Sequence, residues 1–133
     1  MRNILSIRIS DESKQDPQSQ IDSANEWLLN NKGESFHSII EDHGSGYTIK
    51  LEDTDLYEWI VSEGKRGDII YVGDASRLGR NELRLWGIYE LCTENKIAIW
   101  SISDNANLLA DRDLFNMRAW ISRLEHDKIA FRS

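Results

Sequence analysis

The chain has almost no cysteine, almost no proline and too few positive charges to balance its negative ones, and each shortage excludes something. One thiol, Cys92, among 133 residues leaves no internal disulfide and no cysteine-rich zinc site. That thiol use fits a reducing, cytoplasmic setting. The single proline, Pro17, follows Asp16 at a helix start, and no linker, repeat or low-complexity tract appears elsewhere. No run approaches the roughly 20 apolar residues that cross a bilayer. The N-terminal MRNILSIRIS is broken by polar residues and lacks a small-residue cleavage site, so it does not read as a signal peptide. The GSG at 44–46 is not followed by Lys-Ser/Thr, so it is no P-loop, and His37, His43 and His126 share no metal-ligand spacing. Lys and Arg number 16 against 23 Asp and Glu, a net charge of −7. Proteins that hold DNA by its phosphates are usually basic, because neutralising phosphates releases counterions. Either the function is not on DNA or the DNA grip lies outside these residues.

What is present is a single-domain length with an alternating pattern. Residues 3–9 read as a strand, with Leu5, Ile7 and Ile9 on one face and Ser6 and Arg8 on the other. Asp16-Pro17 starts a helix that carries Ile21, Ala24 and Leu28 inward and ends at Lys32-Gly33. Residues 35–40 read as a second strand and 41–52 as a loop. Asp53 or Thr54 caps a short helix bearing Leu56, Trp59 and Ile60. The apolar run 69–72 has the look of a strand buried on both faces. A loop, DASRLGR, leads to a helix over about 81–94 with Leu85, Ile88 or Tyr89, and Cys92 inward. Residues 97–102 form a fourth strand, and 111–132 a long amphipathic helix. Trp27, Trp59, Trp86, Trp100 and Trp120 fall on element faces and read as packing residues, as does Cys92.

Strands alternating with helices give an α/β fold: a mainly parallel sheet of four to five strands, helices on both faces, and a long C-terminal helix. Residues 1–110 form the core and 111–133 the start of that helix. Ligands of such folds bind beyond the carboxyl ends of the strands. Two clusters fall at that edge. Arg8 and Ser10, two apart on a strand, point the same way, and a cation beside a hydroxyl suits attack on a phosphate. The plainer reading is an exposed Arg and Ser at a strand end. Arg77 and Arg80, three apart around Gly79, can clamp one phosphate or simply pair with surface carboxylates.

Taken together, these motifs resemble a known family. Ser6-Ile7-Arg8-Ile9-Ser10 is similar to the Tyr-x-Arg-Val-Ser motif that opens the serine site-specific recombinases of the resolvase/DNA invertase family. GDIIYVGDASRLGRN, 67–81, resembles their second motif, and IAIWSISDNAN, 97–107, the strand and loop of the invertase branch. Gln15 and Gln20 fall close to two glutamines of that pattern. The resemblance implies a resolvase-like catalytic domain in which Ser10 attacks a phosphodiester of double-stranded DNA. A 5′-phosphoserine bond forms and a 3′ hydroxyl is released, with no metal, nucleotide or other cofactor. It implies that Arg8, Arg77 and Arg80 neutralise the phosphate. It also implies self-association, as a dimer and as a tetramer in synapsis.

Some positions depart from the pattern. Ser76 stands where many members have Asp, and the arginine before the second helix is missing, its nearest counterparts being Lys50 or Thr54. The Glu-Arg pair of the last helix reads Glu125-His126, whereas Arg132 matches a later arginine. Lys50, His126 and Arg132 are therefore carried as supporting site residues beside Gln15 and Gln20. The alternative is a catalytically degenerate homologue, acting as a dimerisation or regulatory module. No basic arm or helix-turn-helix pattern is present, and a DNA-binding segment beyond Ser133 would account for the net charge.

Overall fold

The computed structural model describes residues 1–9, 17–43, 51–73 and 82–109, with the backbone alone for His43 and residues 82–85. In chain order the elements are β1 (Asn3–Ile9), α1 (Pro17–Lys32), β2 (Ser38–His43), a 3-10 turn (Leu51–Asp53), α2 (Asp55–Ser62), β3 (Ile69–Val72), α3 (Glu82–Glu94), β4 (Ala98–Ser101) and β5 (Ala106–Asn107). The anticipated helix over 111–132 and the boundary at 110 lie outside the described residues.

The strands form one sheet in the order β2-β1-β3-β4-β5, parallel except for the antiparallel β4–β5 pair. From β1 the chain steps outward to β2, then crosses back over β1 to β3 and on to β4. Right-handed crossovers therefore put α1 on one face and α2 and α3 on the other. The packing agrees. Leu5, Ile7 and Tyr71 meet Ala24 and Leu28 of α1, while Ile4, Ile40, Ile70 and Ile99 meet Leu56 and Ile60 of α2 and Ile88 and Cys92 of α3. The α1-side layer is finished by aromatic rings: Trp27 and Phe36 lie 6.0 and 5.6 Å from Tyr71, centroid to centroid.

Local chemistry explains most boundaries. Gly33 takes φ +65°, which a Cβ would resist, and its N–H donates to the Leu29 carbonyl as α1 ends. Thr54 caps α2: its Oγ1 accepts from Tyr57 N–H at 3.2 Å and donates to the Leu51 carbonyl at 2.7 Å.

Ser6, on the face of β1 opposite Leu5 and Ile7, is buried, because α2 and α3 cover that side of the sheet. One expectation needs correction. The second strand is shifted, beginning at Ser38 rather than 35 and running through Glu41, Asp42 and His43, which read as loop. Its length follows β1, residue for residue from Ile4–Ser38 to Ile9–His43. The apolar Phe36 packs in the α1-side cluster before the ladder starts.

Candidate functional site

An open sheet of this strand order has a switch point between β1 and β3, where connections leave in opposite directions and open a crevice at the carboxyl edge. The first strand supplies Arg8 there and ends at Ile9, immediately before Ser10. Beside it β3 ends at Val72, and Gly73 leads into 74–80. The last register pair between these strands is Leu5–Tyr71, so β1 runs on from Ser6 to Ile9 with β2 as its neighbour. On the far side of β3, the Ser103 N–H donates to the Gly73 carbonyl at 2.9 Å. The β4–β5 turn is fixed in turn by Ser101 Oγ donating to Asp104 at 2.7 Å.

Of the residues picked from the sequence, Arg8 and Gln20 are described. Ser10, Gln15, Lys50, Arg77, Arg80, His126 and Arg132 lie outside the described residues. Arg8 is half-buried, and its Nε and Nη1 are enclosed without a hydrogen-bond partner among the described residues. Enclosed guanidinium donors left unpaired are costly, since they give up hydration and gain nothing in return. Burial accordingly pushes the Arg8 guanidinium below its ordinary value, opposed by the nearby charge of Asp42. Gln20, in the first turns of α1, also has an enclosed Nε2 without a partner among the described residues. Because α1 runs back from the carboxyl edge to Gly33, its opening turn belongs to the edge where β1 ends. Thr54 behaves differently. It is buried and its hydroxyl is committed at both lone pair and proton to the start of α2.

One residue went unremarked in the sequence. Asp42, on β2, is the register partner of Arg8 and is only 6% exposed. Its Oδ1 accepts from Asp55 N–H at 2.6 Å and its Oδ2 from Leu56 N–H at 3.3 Å, at the first turn of α2. Burial raises its carboxyl above the usual range, while the Asp55 amide and the Arg8 charge pull it back down. A buried carboxylate inside a run that reads as loop carries no pattern of its own. The visible signal was its place two residues after Ile40 on the same strand face. Among the described residues, no three His, Cys, Asp or Glu side chains are placed to hold a metal ion, and no helix is long and apolar enough to cross a membrane.

The family model for the resolvase N-terminal domain matches residues 3–133. The chain belongs to the resolvase family. Among solved structures, the N-terminal catalytic domain of TP901-1 integrase superposes on this resolvase domain with a TM-score of 0.66 at 19% identity, covering 96% of this chain and 98% of that one. A resolvase family site-specific recombinase from Streptococcus pneumoniae superposes with a TM-score of 0.62 at 15% identity, covering 99% and 92%. At such identities the likeness is one of fold, and it matches the five-stranded, mainly parallel sheet described above. No curated protein sequence matches the chain.

Proposed function

We propose that this resolvase-family chain cuts and rejoins DNA strands in site-specific recombination, with Ser10 as the nucleophile. The observation that carries the reading is Arg8. It is a cation with two enclosed N–H groups that have no partner among the described residues, at the switch point and two positions before Ser10 in the chain. Such a group calls for an anion with several acceptor oxygens, which a phosphodiester is.

In the reaction, Ser10 Oγ attacks phosphorus in line with the 3′ oxygen. A P–Oγ bond forms and the P–O3′ bond breaks. The serine proton passes to a base or solvent, and the departing 3′ oxygen gains one to leave as a hydroxyl. The resulting 5′-phosphoserine ester keeps the energy of the bond it replaced, so attack by a 3′ hydroxyl reseals DNA without a cofactor. Arg8, Arg77 and Arg80 bind the non-bridging oxygens and offset the charge that builds on them. Gln15, Gln20, Lys50, His126 and Arg132 support them. The DNA is double-stranded and the working assembly is a dimer that pairs into a tetramer, with residues 111–133 beginning the dimerisation helix. The setting is the cytoplasm.

A second reading draws on Thr54. One of the two positions nearest the family's missing arginine, Lys50 or Thr54, is thus spent as a helix cap, which suits a degenerate homologue serving as a dimerisation or regulatory module. Covalent trapping separates the two. The full chain, fused to a sequence-specific DNA-binding domain, is mixed with a nicked duplex that cannot be resealed. An adduct that survives denaturation and is lost in Ser10→Ala supports recombinase chemistry. A fusion that folds and binds its site without forming an adduct supports the regulatory role.

A further inference from the structure

We propose that the free edge of β2, with the side of α2 beside it, docks an extended segment of a partner protein that bears lysine or arginine and adds to the sheet as a further strand. The inference is separate from the recombinase reading and does not depend on it.

Among the described residues β2 is the outer strand of the sheet and pairs on one side only, with β1. A strand with one neighbour keeps half of its N–H and C=O groups turned outward, and such an edge is a template for another chain. Native sheets blunt it with very short strands, proline, bulges or lysine. The second strand uses none of these: it runs 6 residues, SIIEDH, in unbroken register with β1. Ile39 stands on it 41% exposed.

Beside that edge lies a groove of about 320 Å³, walled by residues 39–41 and by α2. Asp55, Glu58, Trp59 and Ser62 recur at spacings of three and four, so one side of the helix faces the groove along its length. Ile40 turns under α2 into the core, so alternation sends Ile39 and Glu41 to the other face. The strand therefore meets the groove by its backbone.

Charge complementarity names the occupant. Four exposed carboxylates, Glu41, Asp55, Glu58 and Glu63, stand around the groove, and no lysine or arginine lines it. Among the described residues the one ion pair within 4.0 Å is Arg2–Asp68, so none of the four has a cation against it there. Arg2 reaches the Trp59 ring and the Glu63 carbonyl, but its charge is spent on Asp68. An added strand presents successive side chains to opposite faces. Those toward α2 meet Asp55, Glu58 and Glu63; those on the other face meet Ile39 and Glu41. The fitting segment alternates, with basic residues toward α2 and an apolar residue beside Ile39. Backbone pairing supplies affinity in such complexes, and the alternate side chains supply specificity. A second copy of this chain fits less well, since a net charge of −7 sets two copies against each other.

The test titrates the isotope-labelled full chain with a short acetylated peptide of alternating lysine and valine. Amide signals of residues 39–41 and of the α2 stripe are expected to shift together, with intermolecular contacts between the peptide backbone and β2. N-methylation of alternate peptide amides removes donors and keeps the charge, and should weaken binding about tenfold or more. Glu58→Lys, at an exposed position where substitution barely alters stability, should also weaken it about tenfold or more. No shift at millimolar peptide overturns the proposal, as does binding that Glu58→Lys leaves unchanged. Equal binding by spermidine or by the N-methylated peptide overturns it too, because charge alone then suffices. Shifts of the same amides with protein concentration, in the absence of peptide, would give the edge to a second copy instead. Adduct formation with DNA is no part of the readout, so the recombinase reading and this one fail separately.

Discussion

The Arg2 guanidinium sets Nε and Nη2 on the two carboxylate oxygens of Asp68, at 2.9 and 2.6 Å, across the N-terminal ends of β1 and β3. Nη2 also donates to the Glu63 carbonyl at 3.0 Å, and the cation lies 5.6 Å from the centre of the Trp59 ring. Asp68 is almost fully buried and accepts a further bond from Lys65 N–H at 2.8 Å. This clasp joins β1, β3 and the end of α2 at the edge opposite Arg8.

The clasp predicts an acid-sensitive contribution to stability. The Arg2 hydrogen bonds hold the Asp68 carboxyl below its ordinary value of 3.8. The unfolded chain therefore takes up this proton at a higher pH than the folded one. The contribution is present in full above about pH 4 and fades as pH falls through the folded value. Asp68→Asn should cost about 2 kcal/mol near neutrality, the scale of hydrogen bonds to a charged group. The gap between variant and parent in urea midpoint should narrow below about pH 4. A gap that does not change with pH would mean that the charge on Asp68 contributes nothing.

Arg8 should show the opposite trade. Its enclosed Nε and Nη1 gain no partner among the described residues, so the residue is held at a cost to the fold. Arg8→Met removes the donors and keeps the volume and the apolar stem. Thermal unfolding of the variant is expected within about 1 kcal/mol of the parent on either side. Adduct formation with DNA is expected to drop by about a hundredfold or more, the effect of losing a charge placed for the transition state. A variant that unfolds readily would place Arg8 in the scaffold and not in the site.

Much of this was legible in the chain because the decisive patterns are local. The alternation of 3–9, the apolar run 69–72 and the Asp16-Pro17 and Lys32-Gly33 punctuation define elements by short-range sterics and capping, and the strands and α1 fall where those signals put them. Arg8 could be singled out since strand geometry alone aligns it with position 10. Asp42 could not. Its meaning depends on the Asp55 and Leu56 amides, 13 and 14 residues on, which reach it only once the start of α2 is seated against β2. The β2 boundary failed for the same reason: the strand extends as far as β1 offers partners, whatever its own polarity. The two-residue β5 carries too little apolar pattern to announce itself, and is set by its register with Trp100 and Ser101.

Two glycines should respond differently to alanine. At Gly64 a Cβ would meet the Ile60 carbonyl oxygen at 2.6 Å and Ile97 Cδ1 at 2.8 Å. The backbone oxygen cannot step aside without loosening the end of α2, so Gly64→Ala should cost about 1–3 kcal/mol by overpacking. At Gly33 the space is open and only the +65° φ resists, so Gly33→Ala should cost about 1 kcal/mol. Chemical denaturation of the two variants gives the order. Equal costs would contradict the close packing of Gly64 against Ile60 and Ile97.

Cys92 offers a probe of the layer beneath α2 and α3. It is fully buried beside Ile88 and Ile97, and burial pushes its thiol up to about 12. Only the thiolate alkylates at a useful rate, and at about pH 8 a thiol with that value is ionised in roughly one molecule in ten thousand. An unfolded chain, with an ordinary thiol near 8.5, is ionised in about a quarter. Both burial and ionisation therefore confine reaction to molecules that have opened. Iodoacetamide at that pH should leave the folded protein unlabelled while modifying it completely in concentrated urea. Labelling under native conditions should speed up in Gly64→Ala, which disturbs the same layer through Ile97, and in step with its loss of stability. Prompt labelling of the unmodified folded chain would mean that α3 does not seal this face of the sheet, and the packing against which α2 is seated would have to be redrawn.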